Sequence, residues 1–510
     1  MTRLRRLAGV LAGLIIWEAV ARGLPGSVLI SGPVPMALHF YEHAGLITRA
    51  ALETTSNAVP GFFWGNLVAV ALAALVVVVP RTERVVAALA LLVFCIPLIA
   101  SGPILRVLYG PGDGPQIALA ALAVYYTTFL AMLVGLRAVP QSWTDLMAVY
   151  GRGRFDTLIR VRARASLPYL FVGLQIAAPA AFLGAMIGEF TGAERGLGVL
   201  TLRAMRGLQI DATWTLATLT AVIAMIAYRF FGWLGQKLVG YRPVILLSAP
   251  GAKTARSLPA RAAELVGITL LVLILWQVLM DGFGLNAFFA KRPADVALFL
   301  ADAANREVLL SALGETLSFT LPGYLAGLLL GAGLAVLLVL SPPLSRAAMP
   351  VAIALRAVPI ITTAPLLVLA FGRGAAGTVI IVAVMIFFPT LVACLQGLRQ
   401  TPGQIFDVFN SYGAGRFRLL SAAQIPAMLP AFFASARMAV PSALLAVTTT
   451  EWLATGRGIG VLMALTSSTS NYNMLWSCVV ALSVVAVIFY ALVAMCERAV
   501  LRVYASEQVA

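Results

Sequence analysis

Charge is what this sequence has least of: 11% of its 510 residues are charged, against 61% hydrophobic, and the mean hydropathy is +0.96. Soluble globular domains carry roughly 25% charged residues, so a soluble fold is excluded and most of the chain belongs in lipid. Histidine is nearly absent. His39 and His43 stand i and i+4 in one loop without a carboxylate or thiol cluster, which argues against a metal centre. The four cysteines, Cys95, Cys394, Cys478 and Cys496, all fall in apolar segments. Their spacing suits neither a disulfide framework nor a zinc site, and they read as small buried hydrophobes. No Gly-x-x-x-x-Gly-Lys-Ser/Thr loop occurs, so the chain has no means of cradling ATP phosphates itself. Nor is there an acid/base pair or a nucleophile with its base, and no chemical step is expected within the chain.

What is present is apolar length. A spanning helix needs roughly 20 apolar residues. Twelve stretches qualify: 7–23, 59–80, 85–108, 115–136, 168–188, 213–236, 263–282, 321–341, 347–371, 376–396, 430–449 and 474–496. Glu18 interrupts the first, but Ala21-Arg22-Gly23 is a poor signal-cleavage site, so it is read as a helix. The net charge of +16 is explained by topology rather than by nucleic acid. With the N-terminus inside, 22 of the 36 basic residues fall on cytoplasmic segments, 11 opposite, and Arg229, Arg356 and Arg437 inside helices. Both termini are therefore expected in the cytoplasm of a bacterium, with the chain multi-pass in its inner (plasma) membrane.

The chain repeats itself at an offset of 262 residues, the distance from Glu53-Thr54 to Glu315-Thr316. The register holds without a gap from there to Arg195-Gly196-x-Gly198-Val199-Leu200, which meets Arg457-Gly458-x-Gly460-Val461-Leu462. Pro60-Gly61, Pro97, Pro103, Gly110, Pro140, Pro168 and Glu189 meet Pro322-Gly323, Pro359, Pro365, Gly372, Pro402, Pro430 and Glu451. Chance alignment of apolar sequence would match Leu, Ala and Val instead, so the duplication is real. Six helices per copy is an even number. The copies therefore share one orientation about an axis along the membrane normal. The predicted architecture is an all-α membrane protein of two tandem six-helix repeats, about 12 transmembrane helices, packed as a pseudo-twofold dimer. Its parts are a first repeat at 1–240, a cytoplasmic linker at 241–262 and a second repeat at 263–510.

Between the fourth and fifth stretches of each copy lies a long arginine-rich segment, about 28 residues, and loops of that length inside a compact bundle are usually functional. The first carries Asp145, Tyr150, Gly151, Arg154 and Phe155, running to Leu167-Pro168. The second carries Asp407, Tyr412, Gly413, Arg416 and Phe417, running to Ile425-Pro426 and Leu429-Pro430. A helix lying among lipid headgroups is the bland reading; recurrence at the same place in both copies speaks against it. An acidic residue, then a glycine, then Ile-Pro resembles the cytoplasmic loop motif of binding-protein-dependent importer permeases. Glu-Phe or Glu-Trp followed by Arg-Gly-Leu/Ile-Gly-Val-Leu is similar to the subfamily importing nitrate, sulfonates, taurine and thiamine-precursor pyrimidines. The resemblance covers almost the whole chain, twice. Both copies carry Asp where the motif has Glu, and the first has Ala163-Arg164 where Ile-Pro or Leu-Pro is expected, so the two docking sites are read as not equivalent.

The resemblance implies a type I importer permease fold. It also implies two ATP-binding-cassette ATPase subunits docking on these segments as coupling helices, with ATP and Mg held there and no cofactor on this chain. An extracytoplasmic binding protein would deliver a small solute. Two rivals are a twelve-helix secondary transporter, whose signature loop Arg81-Thr-Glu-Arg84 does not supply, and an integral-membrane enzyme. Translocation-pathway candidates are Glu189, Glu451, Arg356, Thr448 and Thr449, with Thr450 beside them. For the two glutamates the alternative is to tie down the following Gly-x-Gly turn, and for the threonines to bond their own helix. Arg437, matching Gln175 in the first copy, is expected to snorkel to the cytoplasmic surface.

Overall fold

The computed structural model describes residues 2–23, 30–110, 112–240, 258–341, 374–399, 401, 403–452 and 456–504, and all regular secondary structure among them is helical. The first repeat opens with α1 (Thr2–Gly23) and the short α2 (Pro33–Glu42). Glu18 has a purpose in its apolar surroundings. Its carboxylate accepts the Val34 N–H at 3.0 Å and the Arg22 Nε at 2.7 Å, satisfying a donor in the first turn of α2 that the helix leaves unpaired.

The long α3 (Ala44–Val78) begins well before the apolar stretch at 59–80, because polar turns around Arg49 and Glu53 remain helical outside the apolar thickness. The stretch 85–108, expected as one helix, is two: α4 (Glu83–Cys95) and α5 (Leu98–Tyr109), bent by 92°. Pro97 is the cause, since it lacks an N–H and holds Ile96 extended at ψ 124°. The corresponding stretch of the second copy, 347–371 with Arg356 and Pro359, lies outside the described residues, as does most of the 241–262 linker.

Next come α6 (Gly114–Arg137), the surface helix α7 (Gln141–Val149), α8 (Arg154–Thr157), a π turn (Leu158–Arg162) and α9 (Ala163–Phe190). The arginine-rich segment is thus no long loop. From Arg154 to Phe190 it is one continuous apolar helix that absorbs Pro168 internally, so the fifth span starts a turn or more before the expected 168–188. α10 (Leu197–Arg206) and α11 (Ile210–Val239) close the repeat.

The second repeat has α12 (Leu258–Gly282), α13 (Pro293–Ala301), α14 (Ala303–Leu340), α15 (Ala375–Arg399), α16 (Gly403–Ser411) and α17 (Arg416–Leu419). A π turn (Leu420–Gln424), α18 (Ile425–Thr450), α19 (Ile459–Ser468) and α20 (Tyr472–Tyr504) complete it. α16, α17, the π turn and α19 are displaced from their counterparts by the sequence offset at both ends. The π turn forms in both copies although only the second has Pro426 after it, so proline is not its cause.

Eight helices among the described residues are long and apolar enough to cross a bilayer, nine if the bent pair counts as one span, and the 266–282 part of α12 is a shorter apolar helix. In each repeat a central helix, α6 or α15, packs between α3 and α9 or between α14 and α18. Small residues set the approach. A Cβ on Gly61 would lie 2.7 Å from the Ile117 carbonyl, and one on Gly323, Gly327 or Gly331 within 2.8 Å of the Val379, Ala383 or Phe387 carbonyl. Lipid gives no hydrophobic drive between helices, so such close small-residue packing carries the association. Between the repeats, α4 and α5 lie against α18 and α20, and one buried cluster unites Cys95, Ile99 and Ile104 with Leu444, Leu475 and Leu482.

Candidate functional site: paired surface helices and buried clasps

At the basic end of each repeat α7 and α16 stop in the same way. Gly151 has φ 66° and Gly413 φ 63°, the left-handed region that only glycine enters without cost. The Gly151 N–H donates to the Ala148 carbonyl and the Arg152 N–H to that of Met147, both at 2.9 Å. In the second copy the Gly413 and Ala414 N–H groups donate to Asn410 and Phe409 at 3.0 and 2.9 Å. This is a Schellman termination, duplicated. A Cβ at either glycine would meet nothing within 4 Å, so the glycine is required by backbone angle alone.

The chain then re-enters helix at Arg154 and Arg416 and continues into a full span. Each surface helix is therefore joined by a four-residue turn to a membrane helix. The two backbones match, so the expected inequivalence does not lie in the fold of either segment. What both present outward is apolar: Tyr150 and Tyr412 are 72% and 86% exposed, Phe155 and Phe417 64% and 76%. Trp143 and Leu146 in the first copy, with Ile405 and Val408 at the same positions in the second, extend that face. Sequence reasoning passed over these four, although apolar residues repeating at i and i+3 in both copies were a visible signal. Asp145 and Asp407 are exposed on the same helices.

The opposite end of α9 and α18 holds a second duplicated constellation. Glu189 and Glu451 are each 1% exposed. The Glu189 Oε2 accepts the Gly198 N–H at 2.6 Å, and the Glu451 Oε2 accepts that of Gly460 at 2.8 Å. Thr54 and Thr316 on α3 and α14 accept the Leu197 and Ile459 N–H groups, both at 2.9 Å, and the Thr316 hydroxyl donates to Glu451 at 2.8 Å. Glu315 adds a bond from the Gly458 N–H at 3.0 Å. Gly196 and Gly458, at φ 123° and 90°, lie directly on the carboxylates, where any Cβ would collide with them. Each glutamate, together with the threonine beside it, thus ties the end of α9 or α18, the turn and α3 or α14 into one unit. Thr54 and Thr316 were visible only as matched repeat positions. Among the described residues the Glu189 Oε1 has no hydrogen-bond partner.

Thr448, Thr449 and Thr450 are buried, and each hydroxyl donates to a carbonyl of its own helix, those of Leu444, Leu445 and Ala446. Arg437 does not simply reach for the surface. Its Nε lies 3.1 Å from the Glu497 carboxylate on α20, off-line for a hydrogen bond, and its guanidinium is 5.9 Å from the Tyr490 ring centre. Pairing with a carboxylate outweighs bare snorkelling where both side chains are mostly shielded from water. The first copy has Gln175 and Gly235 at these places, so the pair exists once.

Each of the two copies thus carries a surface helix joined to a span. The model of the "binding-protein-dependent transport system inner membrane component" family matches residues 65–240 and again residues 323–502. The chain belongs to this family. It is an importer permease, a transport component rather than an enzyme, in tandem form, and a multi-pass inner-membrane protein. A probable ABC transporter permease protein of Haemophilus influenzae is 30% identical over 46% of this chain and 95% of its own length, so that relative corresponds to one repeat. The formylaminopyrimidine transport permease ThiX of Halalkalibacterium halodurans is 27% identical over 38% of this chain and 76% of its own. The putative aliphatic sulfonates transport permease SsuC of Bacillus subtilis is 25% identical over 45% and 84%.

Proposed function

We propose that the permease carries a small solute inward, with two ATPase subunits docking on α7–α8 and α16–α17 and a binding protein delivering the solute on the opposite side. The observation that carries this reading is the duplicated surface helix with its outward apolar face, joined by a rigid turn to a spanning helix. Exposed apolar side chains on the basic end of a bundle favour a protein partner. A Schellman turn running into a continuous helix transmits displacement instead of absorbing it. Two such faces call for two subunits. ATP and Mg then belong to those subunits.

The basic distribution supports cytoplasmic termini and levers, leaving the Glu189 and Glu451 clasps on the outer side. There they hold the Gly-x-Gly turns in place beneath the delivering protein. The solute is read as one of the sulfonate, nitrate, taurine or pyrimidine kind. Relatives named for formylaminopyrimidine and aliphatic sulfonate transport support this, while others named for riboflavin and bicarbonate widen the range. The test is reconstitution into proteoliposomes with and without the ATPase subunits. Uptake that requires ATP and both partners is expected, and uptake by this chain alone would overturn the proposal.

A further inference from the structure

One cavity sits at the basic end of the first repeat, between the end of α3 and the surface helix α7, with a volume of about 350 Å³. Arg137, Arg152, Arg154 and Arg162 line it. Glu83 pairs with Arg137 at 2.7 Å, and Asp156 approaches Arg152 at 3.5 Å but is shared with Arg160 outside the cavity. Among the described residues no carboxylate lies against Arg154 or Arg162, so the cavity keeps an excess of positive charge. Its other wall is apolar: Val76, Val77 and Pro80. Val76 is buried and Val77 half-buried, while Pro80 is exposed beside Val79, and further along α3 Val68 and Leu75 stand 49% and 43% exposed.

The second repeat supplies a control. Its surface segment has the same backbone, yet Ala414 and Gln424 stand where the first copy has Arg152 and Arg162. Neither arginine is needed to fold the segment. Arg160 and Arg164 are also replaced in the second copy, by Ala422 and Pro426, but they lie outside the cavity, whereas Arg152 and Arg162 line it.

We infer that this cavity holds the phosphate of an anionic phospholipid headgroup, with the acyl chains running down α3. A basic pocket at the end of spanning helices with one apolar wall fits an amphiphile better than a free anion, whose hydration the apolar wall would strip without return. A lipid seated there braces the first surface helix against α3. The second helix has no such brace.

The test is native mass spectrometry of the full chain with phosphatidylglycerol and, separately, phosphatidylcholine. The double variant Arg152→Ala/Arg162→Gln carries the second repeat's own residues. Each arginine near a charged headgroup is worth about fivefold, so this variant is expected to hold phosphatidylglycerol about thirtyfold more weakly. Arg160→Gln/Arg164→Gln removes equal charge from exposed positions beside the cavity and is expected to retain it. Equal loss in both variants, or equal retention, overturns the inference. So does preference for phosphatidylcholine, displacement by millimolar inorganic phosphate, or a double variant that keeps the lipid and loses only the ATPase. Unchanged elution and helicity of both variants exclude misfolding as the cause.

Discussion

Replacing Gly413 by alanine isolates the backbone requirement of the second surface helix. The site is open, with nothing within 4 Å of an added Cβ, so the only penalty is holding alanine at φ 63°. That penalty is about 1–2 kcal/mol, offset in part by the smaller conformational entropy that alanine loses on folding, about 0.4–1 kcal/mol. A net cost of about 1 kcal/mol falls on a helix of nine residues with no buried side chain, which has little local stability of its own. The ordered population of α16 then falls about fivefold relative to its opened form. Gly413→Asn tolerates the left-handed region and should behave nearly as the parent. Gly413→Pro fixes φ near −65° and also removes the N–H that donates to Asn410, so it should abolish the turn. Amide exchange over residues 403–414 and solute-stimulated ATP hydrolysis by the reconstituted complex read the two consequences. The expected order in both is parent, Asn, Ala, Pro. If Ala and Pro match the parent in exchange and in stimulation, the turn transmits nothing and the reasoning fails.

Further expectations follow from the same geometry. Val408→Glu places a charge on the outward apolar face; losing a buried valine contact there costs about 2 kcal/mol, so ATPase affinity in a pull-down titration should fall about thirtyfold while membrane insertion is unchanged. Gly458→Ala forces a Cβ onto the Glu451 carboxylate at φ 90° and should lower the melting temperature in detergent more than Gly413→Ala does. Arg437→Gln leaves Glu497 shielded and unpaired, at a cost of about 2 kcal/mol after allowance for partial exposure. Arg437→Gln/Glu497→Gln should recover most of that loss in the same melting assay. Burial first, and then the stacked His43, hold the His39 imidazole below its ordinary value of 6.5. The folded state therefore binds the proton less readily than the unfolded chain. Stability contributed by the neutral ring is full above that value and declines as pH falls below it, so protection of the α2 amides, taken relative to their intrinsic exchange at each pH, should fall between pH 7.5 and 5.5, and His39→Gln should remove that fall.

Much of the fold was legible because duplication writes structure into sequence twice. Gly151 and Gly413 recur at the repeat offset because both need the same left-handed turn. Gly196 and Gly458 recur because both lie on a carboxylate. Composition located the spans but not their ends, since helix continues through polar turns such as those around Arg49 or Arg160 once hydrogen bonding has begun. The break at Pro97 was misread because Cys95-Ile96-Pro97 stays apolar throughout, and apolarity alone does not distinguish a straight span from a bent pair. The Arg437–Glu497 pair was hidden for another reason. Its members are far apart in sequence and the first copy carries Gln175 and Gly235 instead, so neither local pattern nor repeat comparison joins them. The Thr54 and Thr316 hydroxyls had a signal in the matched Glu-Thr pairs, which helical periodicity by itself does not interpret.

The account rests on force entering through the two surface helices. A photo-crosslinking residue placed at Tyr150 or at Tyr412, both of which point outward, reports what each helix touches in native membranes. The prediction is an adduct to a nucleotide-binding ATPase subunit from each position, with yields that change when ATP is added. Adducts to lipid alone from both positions, indifferent to ATP, would contradict it.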